Sequence, residues 1–301
     1  MPVPDRPRVL AALVAVQIFF AVHYVAAKLV LAVIDAPAWA AIRVGAAAAV
    51  FLVFYLVRGP RCVTWADHRR LALLGLFGVV VNQVCFIEGL ARTTPSHSAL
   101  IITTTPVLTV FFGLLLGRER PHPSAIVAIA LALAGMLVLL RVDHLELRAE
   151  WVRGDLLTQT NAASFALFLV LSKDVVRRLG PTAATTGLLC WGGLGTALYG
   201  GHALAHFDPS VLTPHILALA VYIVIFPTVL AYLLNSWALA RVDSSQVALF
   251  VYLQPIIAST LSVIVLGEPV TPRLVVASAF VFLGVLFATR SLGAATVATA
   301  E

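Results

Sequence analysis

Charged side chains are scarce in this sequence. Only 11% of its 301 residues are Asp, Glu, Lys or Arg, 61% are hydrophobic, and the mean hydropathy is +1.00. Soluble domains carry about a quarter charged residues, so a soluble fold is excluded. Polar and apolar residues do not alternate along strand-length segments, which excludes a membrane β-barrel. Cysteine is rare: Cys62, Cys85 and Cys190 show no metal-ligand spacing, and two of them fall inside apolar runs. Neither a zinc site nor a disulfide is expected. No small-residue cleavage signature follows the first apolar run, which is expected to remain as a span rather than leave as a signal peptide. A clustered His/Asp set, a glycine-rich phosphate loop and a soluble signalling domain are all lacking, which argues against a membrane-embedded enzyme or sensor. No cofactor or metal is implied.

What the sequence does contain is apolar runs of about 18 residues or more, repeated along its length, the mark of a polytopic helical membrane protein. Ten spans are expected: Arg8 to Ile34, Ala38 to Val57, Leu71 to Leu90, His97 to Leu116, Ser124 to Leu140, Asp155 to Lys173, Thr182 to Ala205, Pro214 to Leu239, Ser244 to Val265, and Leu274 to Thr289. The longest loop, Arg141 to Gly154, divides the chain into residues 1–147 and 148–301.

The stretch Asn82 to Leu140 returns without a gap as Ala231 to Thr289, an offset of 149. Leu90-Ala91-Arg92 falls on Leu239-Ala240-Arg241, Pro106 on Pro255, Glu119 on Glu268, Pro123 on Pro272 and Gly135 on Gly284. Such a repeat fixes the architecture before any local reading. Each half holds five spans, an odd number, so the second half must enter the membrane from the opposite side. The expected fold is all-α, with ten transmembrane helices in two inverted five-helix repeats. Inverted repeats characterise secondary transporters, which place their site near the midplane and alternate access by rocking the halves.

The net charge of +6 invites a nucleic-acid reading, but the basic residues sit in short inter-helix loops and follow membrane topology instead. With the N-terminus in the cytoplasm, Arg6, Arg8, Arg58, Arg61, Arg69, Arg70, Arg118, Arg120, Lys173, Arg177, Arg178, Arg241 and Arg290 face inward. Only Arg92, Arg141, Arg148, Arg153 and Arg273 face outward. Both termini are therefore expected inside. The expected partners are the bilayer and a small-molecule solute, with the chain a monomer or homodimer.

Polar residues inside spans are costly and mark cavities or pathways. Gln17, His23 and Tyr24 lie near mid-depth of the first span, and Asn82 and Gln83 in the third. Asn161 and Ser164 share a face of the sixth span, Tyr232 and Asn235 one of the eighth, and Tyr252 lies on the ninth near Gln254. These are the candidate solute-binding residues. Lys28 and Arg43 lie shallow enough either to line a cavity or to snorkel. Pro106, Pro227 and Pro255 interrupt spans four, eight and nine and are candidate kink or gating positions. Glu88 and Arg92 read as an i, i+4 pair. Titration of Glu88, His23 or His97 would instead serve a proton-coupled antiporter. No carboxylate stands alone at mid-depth, which favours a facilitator. The cavity is expected between spans one, three, four, six, eight and nine. Spans five and ten read as an outer scaffold, packed through Gly135 and Gly284, and Glu119 and Glu268 as helix caps.

The chain resembles the drug/metabolite transporter superfamily, EamA-type branch. The resemblance rests on Val25-Ala26-Ala27-Lys28, Arg43, Gly89-Leu90-Ala91 leading to Ser98-Ala99-Leu100, Pro106, Gly117 to Glu119 and Gly135. Gly154-Asp155-Leu156-Leu157, Ala238-Leu239-Ala240, Pro255, Leu266-Gly267-Glu268 and Gly284 continue it. Phe20-Ala21 departs from the Trp-Gly common there. The resemblance implies an inner-membrane exporter of amino acids or related small metabolites.

Overall fold

The computed structural model describes residues 6–57, 63–93, 95–118 and 149–266, with isolated helical positions between 126 and 134 and between 272 and 283. Every regular element among the described residues is helical. The helices are α1 (Arg6–Val30), α2 (Ala36–Val57), α3 (Trp65–Arg92), α4 (residues 95–115), α5 (Ala149–Leu179), α6 (Pro181–Ala205), α7 (Pro214–Leu239) and α8 (residues 244–266). Of these, α1, α2, α3 and α7 are long and apolar enough to cross a membrane. Spans five and ten, with Glu119, Glu268, Gly135 and Gly284, lie outside the described residues.

Several helices overrun their expected ends. α3 begins at Trp65, not Leu71, because Thr64 and Asp67 form a capping box in which each side chain accepts from the other's backbone N–H. Arg69 and Arg70, expected in a loop, therefore lie on the helix. α5 likewise extends beyond Asp155 and Lys173 on both sides. α1 instead stops short of Ile34, ending at Val30. Charged residues mark where the apolar layer ends, and a helix can continue past that limit.

Three of the four local irregularities within the described helices contain or precede a proline. Pro106 has no N–H for the Ile102 carbonyl, nor Pro255 for that of Val251. The chain tightens at both places into 3-10 turns, Ile102–Thr104 and Phe250–Tyr252. Wide π-type turns occupy Leu76–Val81 in α3 and Val224–Leu230 in α7, the latter around Pro227. These paired irregularities stand one repeat apart to within a residue, and α3 itself opens 149 residues before α7, at Trp65 and Pro214. The duplication read from the sequence thus extends to backbone geometry.

Ion pairs gather at the two ends of the bundle. At one end Arg118 pairs with Asp174 at 2.6 Å, Arg178 with Asp67, and Lys173 with Asp243. At the other, Glu88 pairs with Arg92, as the i, i+4 spacing implied, and also accepts from Tyr199 Oη. Thr93 donates there to Asp155 at 2.9 Å. Between the ends, one apolar cluster is built on Leu13, Leu71 and Leu189, and a second on Trp39, Ile87 and Ile223. Val53, Leu56, Leu115, Leu198 and Ile264 are exposed on the outside, as lipid-facing residues would be.

The closest helix packing is α2 along α6, which is rich in glycine. A Cβ on Gly200 would overlap the Pro37 carbonyl oxygen, whereas one on Gly201 meets nothing. Gly200→Ala should lower stability by about 1–3 kcal/mol through overpacking, and Gly201→Ala should change it little. Thermal unfolding of both purified variants in detergent checks this, and equal midpoints would refute the tight α2–α6 contact.

Candidate functional site

A cavity of about 480 Å³, including space open to solvent, lies in the middle of the bundle. α1 contributes Phe20, His23 and Tyr24, α3 contributes Asn82, Gln83 and Phe86, and α5 contributes Asn161 and Phe165. Ile102, Tyr232, Val251 and Gln254 complete the wall from α4, α7 and α8. These six helices are the ones expected to line it. α2 adds one residue the expectation did not include, Arg43. A second pocket of about 300 Å³ shares Phe20, Phe165 and Tyr232. It continues past Phe168, Asn235 and Ser236 to Leu239, toward the end that carries the Arg178–Asp67 pair.

Arg43 does not snorkel. Its relative exposure is 0%, and it follows Trp39 and precedes Ala47 on one buried face of α2. Its Nη1 donates to Gln83 Oε1 at 2.7 Å and its Nε to Thr228 Oγ1 at 2.7 Å. A guanidinium only donates, so the orientation of both partners is forced. Gln83 turns its oxygen to Arg43, which leaves its Nε2 to donate to Asn82 Oδ1 at 2.8 Å and Tyr232 Oη at 3.0 Å. Tyr232 in turn donates to the Gly78 carbonyl in the π-type turn of α3, at 2.8 Å. On the other side, Pro227 frees the Ile223 carbonyl, and the Thr228 hydroxyl donates to it at 2.8 Å. That uses the only proton of the hydroxyl, so its oxygen accepts from Arg43.

The remaining candidates divide into cavity wall and support. Gln17 is not on the wall. It accepts from Gln254 Nε2 at 2.7 Å, and Tyr24 Oη donates to Gln254 Oε1 at 3.1 Å. Asn161 Nδ2 donates to the Asn82 carbonyl at 2.8 Å, and Ser164 binds the Phe77 carbonyl behind the wall. Asn235 lines the second pocket. Tyr252 is fully buried and lines neither cavity. Three residues that line these spaces each carry a buried polar atom without a hydrogen-bond partner: His23 Nε2, Asn161 Oδ1 and Asn235 Oδ1. His23 stacks on Phe86 with centroids 5.0 Å apart. Lys28 is half-buried and donates to the Leu90, Ala91 and Thr93 carbonyls, so it caps the C-terminal end of α3. Glu88 sits in its ion pair at the bundle end, and the side chain of His97 lies outside the described residues. No group of three His, Cys, Asp or Glu that could hold a metal is found among the described residues.

Sequence reasoning missed Thr228, Phe86 and Phe165 and left Arg43 ambiguous. The Pro227-Thr228 pair was the available signal, since a hydroxyl beside a helix proline stands ready for the carbonyl that proline frees.

The model of the EamA-like transporter family matches residues 7–141 and again 152–290. An uncharacterized transporter of Archaeoglobus fulgidus is 22% identical over 90% of this chain and 95% of its own. The uncharacterized transporter YyaM of Bacillus subtilis is 26% identical, covering 83% of each chain. The threonine/homoserine exporter RhtA of Escherichia coli is 26% identical over 82% of this chain and 79% of its own. A solved crystal structure superposes with a TM-score of 0.69 at 22% identity, covering 91% of this chain and 96% of that one, and so shares the fold.

Two tests follow from the geometry. After Cys62, Cys85 and Cys190 are replaced by Ser, a cysteine at Asn161 should react with a water-soluble thiol reagent, whereas one at Ile223, which is fully buried, should not. Equal labelling rates would refute a solvent-reachable cavity. Thr228→Val would remove the acceptor of Arg43 Nε, and should cost about 1–3 kcal/mol of stability. A midpoint of thermal unfolding equal to wild type would break that chain of bonds.

Proposed function

The chain belongs to the EamA-like transporter family, and from that premise we propose an inner-membrane carrier that exports amino acids or related small metabolites by alternating access. Its architecture is ten spans in two inverted halves, residues 1–147 and 148–301, with both termini in the cytoplasm. The observation that carries this reading is the Gln83–Tyr232 hydrogen bond. Its two residues are 149 positions apart, the offset of the repeat. Duplicated positions that touch lie on the axis relating the two copies, so the halves face each other across the cavity, as an inverted-repeat transporter requires. The double match of the family model supports the same division.

Amino-acid cargo is supported by the relative named as a threonine/homoserine exporter. The wall suits it: an arginine, unpaired acceptor atoms and the aromatic rings of Phe20, Phe86 and Phe165 surround one space. Facilitated transport is supported because no carboxylate lines the cavity among the described residues. Glu88 is engaged by Arg92 and Tyr199. One observation favours the proton-coupled alternative: His23 lines the cavity and its buried Nε2 has no hydrogen-bond partner.

The test is flux of radiolabelled threonine, homoserine and other neutral amino acids into proteoliposomes, with and without a pH gradient. Uptake without a gradient, unchanged in Glu88→Gln, is the expected result. Uptake that needs the gradient and disappears in His23→Gln would replace the facilitator with an antiporter.

A further inference from the structure

Arg43 is a buried cation with no carboxylate partner among the described residues. Two of its five N–H groups are used, one by Gln83 and one by Thr228, and both acceptors are neutral. No carboxylate among the described residues pairs with it, and the side chain lines the cavity. Several other cations among the described residues behave differently. Lys173, Arg92, Arg118 and Arg178 pair with carboxylates near the ends of the bundle, and Lys28 is satisfied by three carbonyls. An uncompensated buried charge costs several kcal/mol, and buried charges in proteins are accordingly paired. An anionic group of a solute entering the cavity would supply the counter-charge for Arg43.

On the transport reading above, we infer that Arg43 seats the carboxylate of the cargo, and that the carrier therefore selects solutes bearing a free carboxylate. A planar guanidinium has five N–H donors, of which Gln83 and Thr228 take two, and it matches a carboxylate in the bidentate manner. Gln83 and Thr228 hold it in place from α3 and α7, so the fork is preorganised before the solute arrives. The other end of the cargo meets Asn161, whose buried Oδ1 has no donor among the described residues. That atom suits the ammonium group of an amino acid. The rings of Phe20, Phe86 and Phe165 leave apolar wall for the side chain. An amine without a carboxylate, or an uncharged amide, would leave Arg43 buried and unpaired, so its rejection is built into the site.

The experiment compares acid with amide. Full-length protein in proteoliposomes is assayed for counterflow of threonine and homoserine, then of other neutral amino acids. Each acid that is carried is set against its own carboxamide as a competitor. Wild type should prefer the acid by about 30-fold or more, the lower bound for losing one partner of a buried charge pair. Arg43→Gln should lose that preference, and Arg43→Lys should keep part of it. If Arg43→Gln does not fold, the wild-type comparison alone decides. Acid and carboxamide competing equally in wild type would overturn the role of Arg43 while leaving transport intact. Competition by chloride alone, with acid and carboxamide alike, would overturn it in favour of an inorganic anion. Flux of lipophilic cations or sugars with none of any amino acid would overturn the amino-acid reading itself.

Discussion

A full positive charge stands inside an apolar bundle, held by two neutral oxygens, and the middle of the structure is arranged around it. Arg43 is fully buried and the surrounding lipid offers it no hydration, so its contacts must be built by the protein. One contact begins with Pro227, which frees the Ile223 carbonyl and so fixes the hydroxyl of Thr228. The other begins with Gln83, whose amide passes the constraint on to Asn82 and Tyr232. Tyr232 ends the chain on Gly78. Both end points lie at or beside the wide turns of α3 and α7. The irregular backbone and the buried arginine thus satisfy one another, which explains why the departures from α-helix sit at the cavity and not at the lipid face.

The duplication gives this arrangement its order. Where equivalent positions touch, as Gln83 and Tyr232 do, the environment is shared by both halves. Elsewhere, under the proposed two-half arrangement, the two halves serve opposite ends. Lys28, late in α1, reaches the turn between α3 and α4, and Lys173, late in α5, reaches Asp243 in the turn between α7 and α8. Each lysine ties the first helix of its half to the same turn of that half, at opposite ends of the bundle. Arg43 breaks the pattern: the second half has no buried arginine on α6 to match it. A symmetric scaffold therefore carries an asymmetric site, as a directional solute with two different ends requires.

Much of this was legible in the sequence. The offset of 149 residues, the proline pair and the six cavity-lining helices could be read from spacing alone. So could most of the polar wall, because a mid-span Asn or Gln has few places to go except inward. Depth was the less reliable guide. Arg43 lies early in α2, and distance along a helix does not tell which way a long side chain turns. The buried face it shares with Trp39 and Ala47 decides that, and small apolar residues all round α2 hid the face from a periodicity argument. Tyr252 failed in the opposite sense. It belongs to the 3-10 turn before Pro255, where the tighter winding rotates successive side chains, so the flanking Val251 and Gln254 reach the cavity and Tyr252 does not. Helix ends were misjudged at Trp65 and Leu179 because charge was taken as a boundary where a capping box or a further turn carried the helix on.

Under the proposed two-half arrangement, the ties at the ends fall into two kinds. Lys28 and Lys173 stay within their own halves. Thr93–Asp155, Tyr199–Glu88, Arg118–Asp174 and Arg178–Asp67 cross between halves. A rocking carrier must break the crossing ties at one end and keep the internal ones. The Arg118–Asp174 pair is exposed on both sides, and such pairs contribute about 0–1 kcal/mol. Asp67 is buried, but losing Arg178 does not strand it, because Thr64 still donates its backbone N–H and its hydroxyl. Opening that end is therefore inexpensive by construction. The costly element is Arg43 at the centre, which the ends cannot relieve. On this view the barrier to moving empty sits in the middle of the protein, and a solute that neutralises the guanidinium lowers it, so binding and movement are coupled by one charge.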